Sequence, residues 1–170
     1  YSNYMLNASG TYEFNNVSGV NVEGLFWMPG LSSYGQQLAA GNVGAGVPVF
    51  NALKAPHPVW GAFGNYQFTA YYGKISLSKQ TVMNLDLFAL GGLGYINLDQ
   101  LSTVALDFGL GQDLFFTQNF ALRFDLRWVI FQGPNPPSES LTAADNPSPS
   151  SFGQRIFYNT QLGLSLVFIL

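Results

Sequence analysis

The sequence predicts an all-β protein, built as an antiparallel up-and-down β-barrel. Three observations favour this fold class: apolar and polar residues alternate along seven segments, turn sequences separate several of them, and charged residues make up only 9% of the chain. Successive side chains of a strand point to opposite faces, so each segment has one apolar face and one polar or glycine-rich face. Soluble domains have about 25% charged residues, so this chain has few charges with which to coat a water-facing surface.

The seven segments belong to a single predicted domain, residues 1–170. The first alternates almost without error, and the turn Asn15-Asn16 joins it to the second. Trp27 falls on the polar side of the second strand, so either it points inward or a bulge precedes it. The predicted strands are residues 3–14, 17–28, 59–72, 82–97, 104–116, 120–131 and 156–170.

The best-defined element is the hairpin at residues 104–131. If its strands pair outward from the turn at 117–119, leucines, phenylalanines and a tryptophan share one face, while charged residues and glycines share the other. This register places Asp113 directly opposite Arg123. Because buried charges need partners, we expect these two side chains to meet inside the barrel.

The connections differ in length between the two ends of the strands. Short turns at 15–16, 73–81 and 117–119 lie at one end, and long loops at about 29–58 and 132–154 lie at the other, together with one short connection at 98–102. Strands of about ten residues with tight turns on one side and extended loops on the other are typical of bacterial outer-membrane barrels. The prolines and serines of 132–154 predict a mobile loop that cannot pack a core.

The apolar faces are predicted to meet lipid. A soluble barrel of lipocalin type would turn them inward, which would crowd bulky side chains into a small interior and leave a surface of glycine, asparagine, serine and threonine. The inverted arrangement fills a narrow lumen of about eight strands with small and polar side chains. Aromatic residues then form two interfacial girdles: Trp60 and Trp128 near the long loops, and Phe14, Tyr72, Phe116, Phe120 and Phe168 near the short turns.

Strand parity raises a separate expectation. Seven strands is an odd number, whereas bacterial single-chain barrels have an even number. If the last strand ends on the periplasmic side, counting back places the first residue on the outer side. We therefore expect a fold of eight strands, the first of which is absent from this sequence or supplied by another segment or chain. A closed wall of seven strands, or a further strand within 29–58, would contradict this.

Four glycine-spaced segments carry a family resemblance: the strand at 62–73 with its YYGK ending, LDLFALGGLGY at 85–95, FGLGQDLFFTQNFALRFDLR at 108–127, and the closing TQLGLSLVFIL. In these the chain resembles the outer-membrane β-barrel domain family of myxobacteria and related Gram-negative bacteria. The resemblance implies a small barrel in the cell outer membrane, often without assigned activity, with another strand before residues 3–14. The chain departs from the wider outer-membrane pattern by ending in Leu170, with Phe168 two residues earlier.

The candidate site is a set of charged residues assigned to the lumen. One interpretation is a structural network that plugs the barrel. The other is a cation-favouring water path, because acids outnumber bases and their excess must be met by water, cations or raised carboxyl pKa values. The residues are Glu13, Glu23, Asp86, Asp107, Asp113, Arg123, Asp125 and Arg127.

Other chemistry is not indicated. The net charge of -3 and six scattered Lys and Arg residues exclude a nucleic-acid binder. His57, the only histidine, has no recognisable serine partner, and the acids lack a metal-binding spacing. GNVGAG at 41–46 lacks the strand, helix and lysine of a phosphate loop. We predict no catalytic residues, no metal and no cofactor.

The sequence therefore predicts a non-enzymatic outer-membrane protein that acts as a membrane anchor, an envelope-structural protein or a loop-mediated binding protein, alone or as a subunit of a larger envelope complex. Its partners would be outer-membrane lipid or lipopolysaccharide and envelope proteins. The long loops would carry recognition, because loops on a rigid scaffold often do. The alternatives are a narrow cation-favouring channel and a lipid-directed barrel enzyme, which would need a serine, histidine or acid constellation at the rim.

Overall fold

Seven long strands form one antiparallel sheet in the computed structural model, which describes residues 2–44, 46–76, 82–99, 101–142 and 144–168. They lie in sequence order, each paired with the next. The strands are β1 (Ser2–Asn15), β2 (Ser18–Gly30), β3 (Trp60–Ser76), β4 (Val82–Leu98), β5 (Leu101–Phe115), β6 (Phe120–Pro134) and β7 (Gln154–Phe168). The predicted all-β, antiparallel up-and-down arrangement is confirmed.

Helical structure is confined to the long connections. The β2–β3 connection contains α1 (Ser33–Ala40) and a 3-10 turn (Ala52–Lys54), and the β6–β7 connection contains 3-10 turns at Pro136–Ser138 and Pro149–Ser151. The described part of the β2–β3 connection holds no further strand. No helix among the described residues is long and apolar enough to cross a membrane.

The glycine-rich sequence at 41–46 begins as a helix terminus. Ser32 caps the start of α1 by accepting a hydrogen bond from the Gly35 amide at 3.2 Å. Gly41 follows the helix with φ 73°, and its amide donates to the carbonyls of Gln37 and Leu38. A left-handed residue at this position is best supplied by glycine, which gives this part of GNVGAG a structural explanation.

The sheet has an inner face of buried side chains and an outer face of exposed ones. Along β2 the alternation is regular, with Asn21 and Leu25 buried and Val22 and Phe26 exposed. Trp27 is buried on the inner face, in unbroken register opposite Met5, so no bulge is needed to turn it inward. The polar and glycine-rich sides predicted for β2, β3 and β5 are the inner sides.

The sheet curls around its inner face. Arg127 of β6 forms an ion pair with Glu23 of β2, four strands away in sheet order. At the edges, the Ser165 hydroxyl of β7 donates to the Asn7 side-chain oxygen of β1 at 3.4 Å. Among the described residues, β1 and β7 share no backbone ladder, so these two strands are the edges of the sheet.

The inner face is apolar near the long loops. The expectation that small and polar side chains fill the whole interior is wrong at this end, because several bulky residues on the predicted polar parity are buried there. Full burial of one large apolar side chain contributes roughly 1.5–3 kcal/mol, so this cluster is a substantial source of stability. It consists of Leu25, Trp27, Phe63, Ile96, Leu98, Ala105, Val129 and Phe131.

The two long connections pack against each other. Leu141 and Phe152 of the β6–β7 connection are buried with Ala55 of the β2–β3 connection, and Phe50 packs against them. The prediction that residues 132–154 cannot pack a core is therefore wrong, because the few apolar side chains of this loop find partners in the other loop. We call the described residues of the two connections, 31–44, 46–59, 135–142 and 144–153, the outer cap.

Polar contacts reinforce the outer cap. The Asn51 amide donates to the Leu141 carbonyl at 2.8 Å, and the Lys54 ammonium donates to the Asp145 carbonyl at 2.7 Å. Both bonds join one long connection to the other. The outer cap is therefore a built structure at the long-loop end of the sheet.

A glycine on the inner face of β4 gives the first testable prediction. A Cβ at Gly92 would overlap the backbone of Gly64 and Asn65, whereas a Cβ at Gly64 would meet nothing within 4 Å. We expect Gly92→Ala to lower the free energy of unfolding in detergent micelles by about 1–3 kcal/mol, because backbone atoms cannot yield easily. Gly64→Ala is the matched control and should be neutral or slightly stabilising. Equal effects in urea unfolding would contradict the close approach.

Candidate functional site

The centre of the candidate site is a buried triad on the inner face. The Arg127 guanidinium donates from one terminal nitrogen to Glu23 and from the other to Asp107. The three side chains are 4% exposed or less. Each carboxylate also accepts an amide hydrogen bond, Asp107 from Asn65 at 2.9 Å and Glu23 from Asn7 at 3.1 Å. One arginine thus holds strands β2, β5 and β6 together.

A second ion pair joins β5 and β6. Asp113 lies directly opposite Arg123 in the register, and the guanidinium donates to both carboxylate oxygens at 2.8 and 2.7 Å. The predicted contact between these two residues is therefore present. Arg123 also lies over the Phe88 ring, 4.3 Å from its centroid, a cation–π geometry. The bidentate hydrogen bonds to Asp113 fix the planar Arg123 guanidinium more tightly than a single hydrogen bond would.

The remaining charged residues occupy different positions. Asp86 is buried and accepts a hydrogen bond from the Asp113 amide at 3.3 Å. Asp125 is buried on the inner face, and its carboxylate fills the space that a side chain on Gly163 would need. Glu13 lies exposed near the end of β1, so the structure does not bring it into the buried network.

The ion pair between Asp113 and Arg123 gives a second prediction. Removing either partner leaves the other charge buried, so Asp113→Ala and Arg123→Ala should each destabilise the protein, while the double variant should lose less than their sum. We expect a coupling energy of about 0.5–3 kcal/mol in a double-mutant cycle. The pair Asp113→Ala with Arg155→Ala is the control and should be additive, since Arg155 is exposed near the start of β7. Additive losses for Asp113 and Arg123 would contradict the coupling.

Several inner-face polar atoms have no hydrogen-bond partner among the described residues. They include the side-chain oxygens of Asn21, Asn65 and Gln67, and both polar atoms of the Gln161 amide. Asn21, Asn65 and Gln67 lie within the paired interior of the sheet, whereas Gln161 lies on the edge strand β7. Buried polar groups normally find partners, so Gln161 marks an incompletely satisfied position beside the edge.

The aromatic residues assigned to the girdles lie near the two ends of the sheet, with the exception of Trp128. At the long-loop end, Trp60 begins β3, is 40% exposed and has its ring 6.5 Å from that of Tyr95. The placement of Trp128 near the long loops is wrong, because it lies half-buried in the middle of β6, opposite Phe108 of β5. Near the short turns, the ring centroids of Phe116 and Phe120 are 5.8 Å apart, and those of Phe120 and Phe168 are 5.4 Å apart. Phe14 is exposed, and its ring contacts that of Tyr12. The Tyr72 hydroxyl donates a hydrogen bond to the Asn16 carbonyl.

His57 lies in the outer cap, where its Nδ1 is 3.0 Å from the Ala55 carbonyl oxygen. Its ring lines an apolar cavity of about 230 Å³ together with prolines, Leu98, Phe131 and Phe157. Tyr158, Asn159 and Thr160 of β7 also line this cavity, and among the described residues no hydrogen bond joins the His57 ring to a hydroxyl group. Within the described ranges no group of three or more histidine, cysteine or acidic residues is placed to hold a metal ion.

Asp145 organises one turn of the outer cap. Its carboxylate accepts hydrogen bonds from the Thr142 hydroxyl, from the Ser140 hydroxyl at 2.7 Å and from the Thr142 amide at 2.8 Å. These donors stabilise the ionised form and lower the pKa of the Asp145 carboxyl to about 2. The turn is therefore stabilised by a carboxylate that stays charged across the physiological pH range.

The lowered pKa of Asp145 gives a third prediction. A carboxyl group whose pKa is lower in the folded protein than in the unfolded chain stabilises the fold when it is ionised. This stabilisation is complete above the unfolded pKa of about 3.9 and is lost as the pH falls through the folded pKa of about 2. Protection of the outer cap from pepsin should therefore fall between about pH 4 and pH 2. Asp145→Asn is the control and should show weaker protection without that pH step. An identical pH profile for the two proteins would contradict this role.

Parts of the site could not be found from alternation alone. The bond between Arg127 and Glu23 joins β6 to β2, which requires the curl of the whole sheet. The amides of Asn7, Asn65 and Gln161 fall on the polar parity, and this parity was their only signal. The apolar inner cluster had a signal too: Leu25, Phe63 and Phe131 interrupt the polar parity near the long loops.

Comparisons of the chain with protein-family models, with curated proteins and with solved structures give no match. The site must therefore be interpreted from its own geometry. The side chains of Glu23, Asp107, Asp113, Arg123 and Arg127 are paired with one another, and Asp86 accepts a hydrogen bond from a backbone amide. This arrangement is suited to holding an interior in a fixed conformation.

Proposed function

We propose that the protein is a small integral β-barrel of the Gram-negative outer membrane, without catalytic activity, which anchors the outer cap at the cell surface. One observation carries the proposal: in the described strands, every charged residue lies on the inner face or within three residues of a strand end. The end positions are those of Glu13, Lys74 and Arg155.

The outer face is apolar along the middle of the strands. Its leucines are well exposed in the isolated chain, for example Leu6 at 61%, Leu93 at 60% and Leu162 at 85%. Soluble monomers rarely expose contiguous apolar patches beyond a few hundred Å², whereas lipid contact would remove this surface from water. The strands contain 13 to 17 residues, and a membrane-spanning β-strand needs about 9–11.

The inner face supports an anchoring role rather than conduction. Near the long loops it is filled by the apolar cluster around Leu25, Trp27 and Phe131. Below this lies the triad of Arg127, Glu23 and Asp107, whose charges neutralise each other in part and occupy the interior. The narrow cation-favouring channel is therefore the weaker candidate, since an ion would have to displace packed apolar side chains.

The outer cap is the surface best suited to recognition. It lies at the end that would face the cell exterior, and it is held together by the apolar contacts of Leu141 and Phe152 and by the hydrogen bonds of Asn51 and Lys54. A rigid scaffold that presents loops is a common arrangement for binding. Its partners would be outer-membrane lipid, lipopolysaccharide or an envelope protein, and the barrel would act alone or as a subunit of an envelope complex.

Reconstitution tests this proposal. Refolded in the presence of lipid vesicles, the protein should resist carbonate extraction, and any cleavage by added protease should be confined to the outer cap. Planar bilayers containing it should show no ionic current above the protein-free control. A monodisperse, folded protein in buffer without detergent or lipid would overturn the membrane assignment, and a cation-selective current would replace anchoring by conduction.

A further inference from the structure

The cavity beside His57, at the long-loop end of the sheet, is a candidate binding site. We infer that it binds the hydrocarbon chain of a medium-chain fatty acid, with the carboxylate at its outer rim. This assignment deepens the recognition role that the proposed function gives to the outer cap, and it rests on that proposed function. It names a small ligand with one chain and one negative charge.

The walls of the cavity are apolar and rigid. Each side of the cap contributes a Pro-X-Pro segment, residues 56–58 and residues 134–136, and the four prolines of these segments line the space. Leu98 and the stacked rings of Phe131 and Phe157, 5.5 Å apart, complete the apolar lining. Proline fixes its own φ and has no amide hydrogen, so these walls are preformed and have few donors for water.

The volume of the cavity matches a single hydrocarbon chain. At about 230 Å³ it exceeds the cavity of about 150 Å³ that binds benzene inside a protein core. A water molecule, which is close in size to a methylene group, takes about 30 Å³ in the liquid, so the space holds roughly seven or eight carbons. Membrane phospholipids have paired and longer chains, so a single-chain ligand of medium length fits best.

The edge strand β7 forms the mouth of the cavity. Phe157 and Asn159 lie on the inner face and are half-buried. Tyr158 and Thr160 lie on the outer face and are exposed. All of them line the cavity, which therefore reaches past the edge of β7. Among the described residues β7 has no backbone partner beyond this edge, so a chain can enter here.

Two basic side chains lie where the carboxylate of such a ligand would emerge. The His57 Nδ1 is 3.0 Å from the Ala55 carbonyl oxygen. A carbonyl only accepts, so Nδ1 donates and Nε2 is the ring atom that can bind a ligand. Arg155 precedes Phe157 by two residues on the same face of β7, about 7 Å along the strand. It is exposed and forms no ion pair with a described residue.

Charge complementarity therefore favours a fatty acid over an alcohol or an amine of the same length. A guanidinium binds a carboxylate with two parallel hydrogen bonds, and Arg155 is long enough to reach the rim from its position near the start of β7. The apolar cavity would hold the chain, and the basic residues would hold the carboxylate. A mostly apolar pocket with a few convergent polar groups is the usual form of a small-molecule site.

Photolabelling tests this assignment. The probe is octanoic acid with a diazirine near the end of its chain, added to the protein in phosphatidylcholine vesicles. Mass spectrometry should find the label mainly at residues 56–58, 131–136 and 157–160. At equal free concentration, octanoate should displace the probe about fifteenfold better than hexanoate, since each buried methylene strengthens binding about fourfold. Dodecanoate should gain less than about fourfold over octanoate, because the cavity is then full.

Two pairs of variants test the two halves of the site. Arg155→Ala should weaken octanoate binding about tenfold, whereas Lys74→Ala, which removes an exposed cation at the other end of the sheet, should leave it unchanged. Asn159→Phe should fill the cavity and abolish labelling there, whereas Leu166→Phe adds bulk to the outer face of the same strand and should not. Arg155 is exposed, so its variant decides the outcome if Asn159→Phe does not fold.

Several results would overturn the assignment. Labelling confined to the outer face, or affinity that rises about fourfold per methylene beyond octanoate, would show partition into lipid. Equal competition by 1-octanol, or unchanged binding in Arg155→Ala, would rule out recognition of a carboxylate. A photoreactive phosphatidylcholine that labels the same residues would assign the cavity to a membrane lipid instead. Absence of cavity labelling in protein that still resists carbonate extraction would overturn the fatty-acid site alone and leave membrane anchoring intact.

Discussion

Replacing Arg127 with alanine is expected to lower the free energy of unfolding in detergent micelles by about 3–5 kcal/mol, the loss typical of a broken buried ion pair. The reason is that Glu23 and Asp107 would remain buried, at 2% and 0% exposure, without their cation. Urea unfolding followed by tryptophan fluorescence measures the change, because Trp27 is buried on the same inner face.

Two further variants show whether the loss of stability in Arg127→Ala comes from leaving the two carboxylates without their cation. Arg155→Ala removes an exposed arginine near the start of β7 and should change stability by less than about 0.5 kcal/mol. The combination Arg127→Met, Glu23→Gln and Asp107→Asn removes all three charges and should recover most of the lost stability, since neutral replacements of buried ion networks are often tolerated. A loss below about 1 kcal/mol for Arg127→Ala would mean that the triad contributes little.

Replacing Leu162 with arginine is expected to destabilise the bilayer-inserted protein by about 2–4 kcal/mol, the cost of a lipid-facing charge near the membrane midplane. Leu162 lies near the middle of β7 and is 85% exposed in the isolated chain. In a soluble protein, the same substitution at such an exposed site would be neutral within about 0.5 kcal/mol. The two environments therefore predict different outcomes.

The matched control for Leu162→Arg lies on the same strand and face. Ile156 is 55% exposed near the long-loop end of β7, where an arginine can reach the interface and should cost about 0–1 kcal/mol. Reversible urea unfolding in lipid vesicles compares the two variants. Similar small effects at both positions would indicate that the outer face does not meet hydrocarbon.

The strands and their faces could be predicted because alternation is a local property. The register of β5 and β6 followed from one tight turn, and it places Asp113 opposite Arg123. The order of the strands followed from the general tendency of consecutive antiparallel strands to pair, which here holds even across the two long connections. These features depend on a few neighbouring residues, which is why the sequence is informative about them.

Contacts between distant strands could not be predicted in the same way. The bond from Arg127 to Glu23 depends on the curl of the sheet, which alternation does not specify. The packing of Leu141 and Phe152 depends on the second long loop, whereas proline and serine content reports only on the chain around them. Glu13 has the right parity for the network but lies too near the strand end to be buried.

Nitroxide labels along β5 test most directly whether the outer face meets lipid. Single cysteines replace Val104, Leu106, Phe108 and Leu110, which share that face, and Asn146, which is exposed in the outer cap. In vesicles, labels at 106, 108 and 110 should collide with oxygen, which concentrates in lipid, and should be shielded from a water-soluble nickel complex. The label at 146 should show the reverse. Nickel accessibility at 106, 108 and 110 equal to that at 146 would contradict a membrane-spanning sheet.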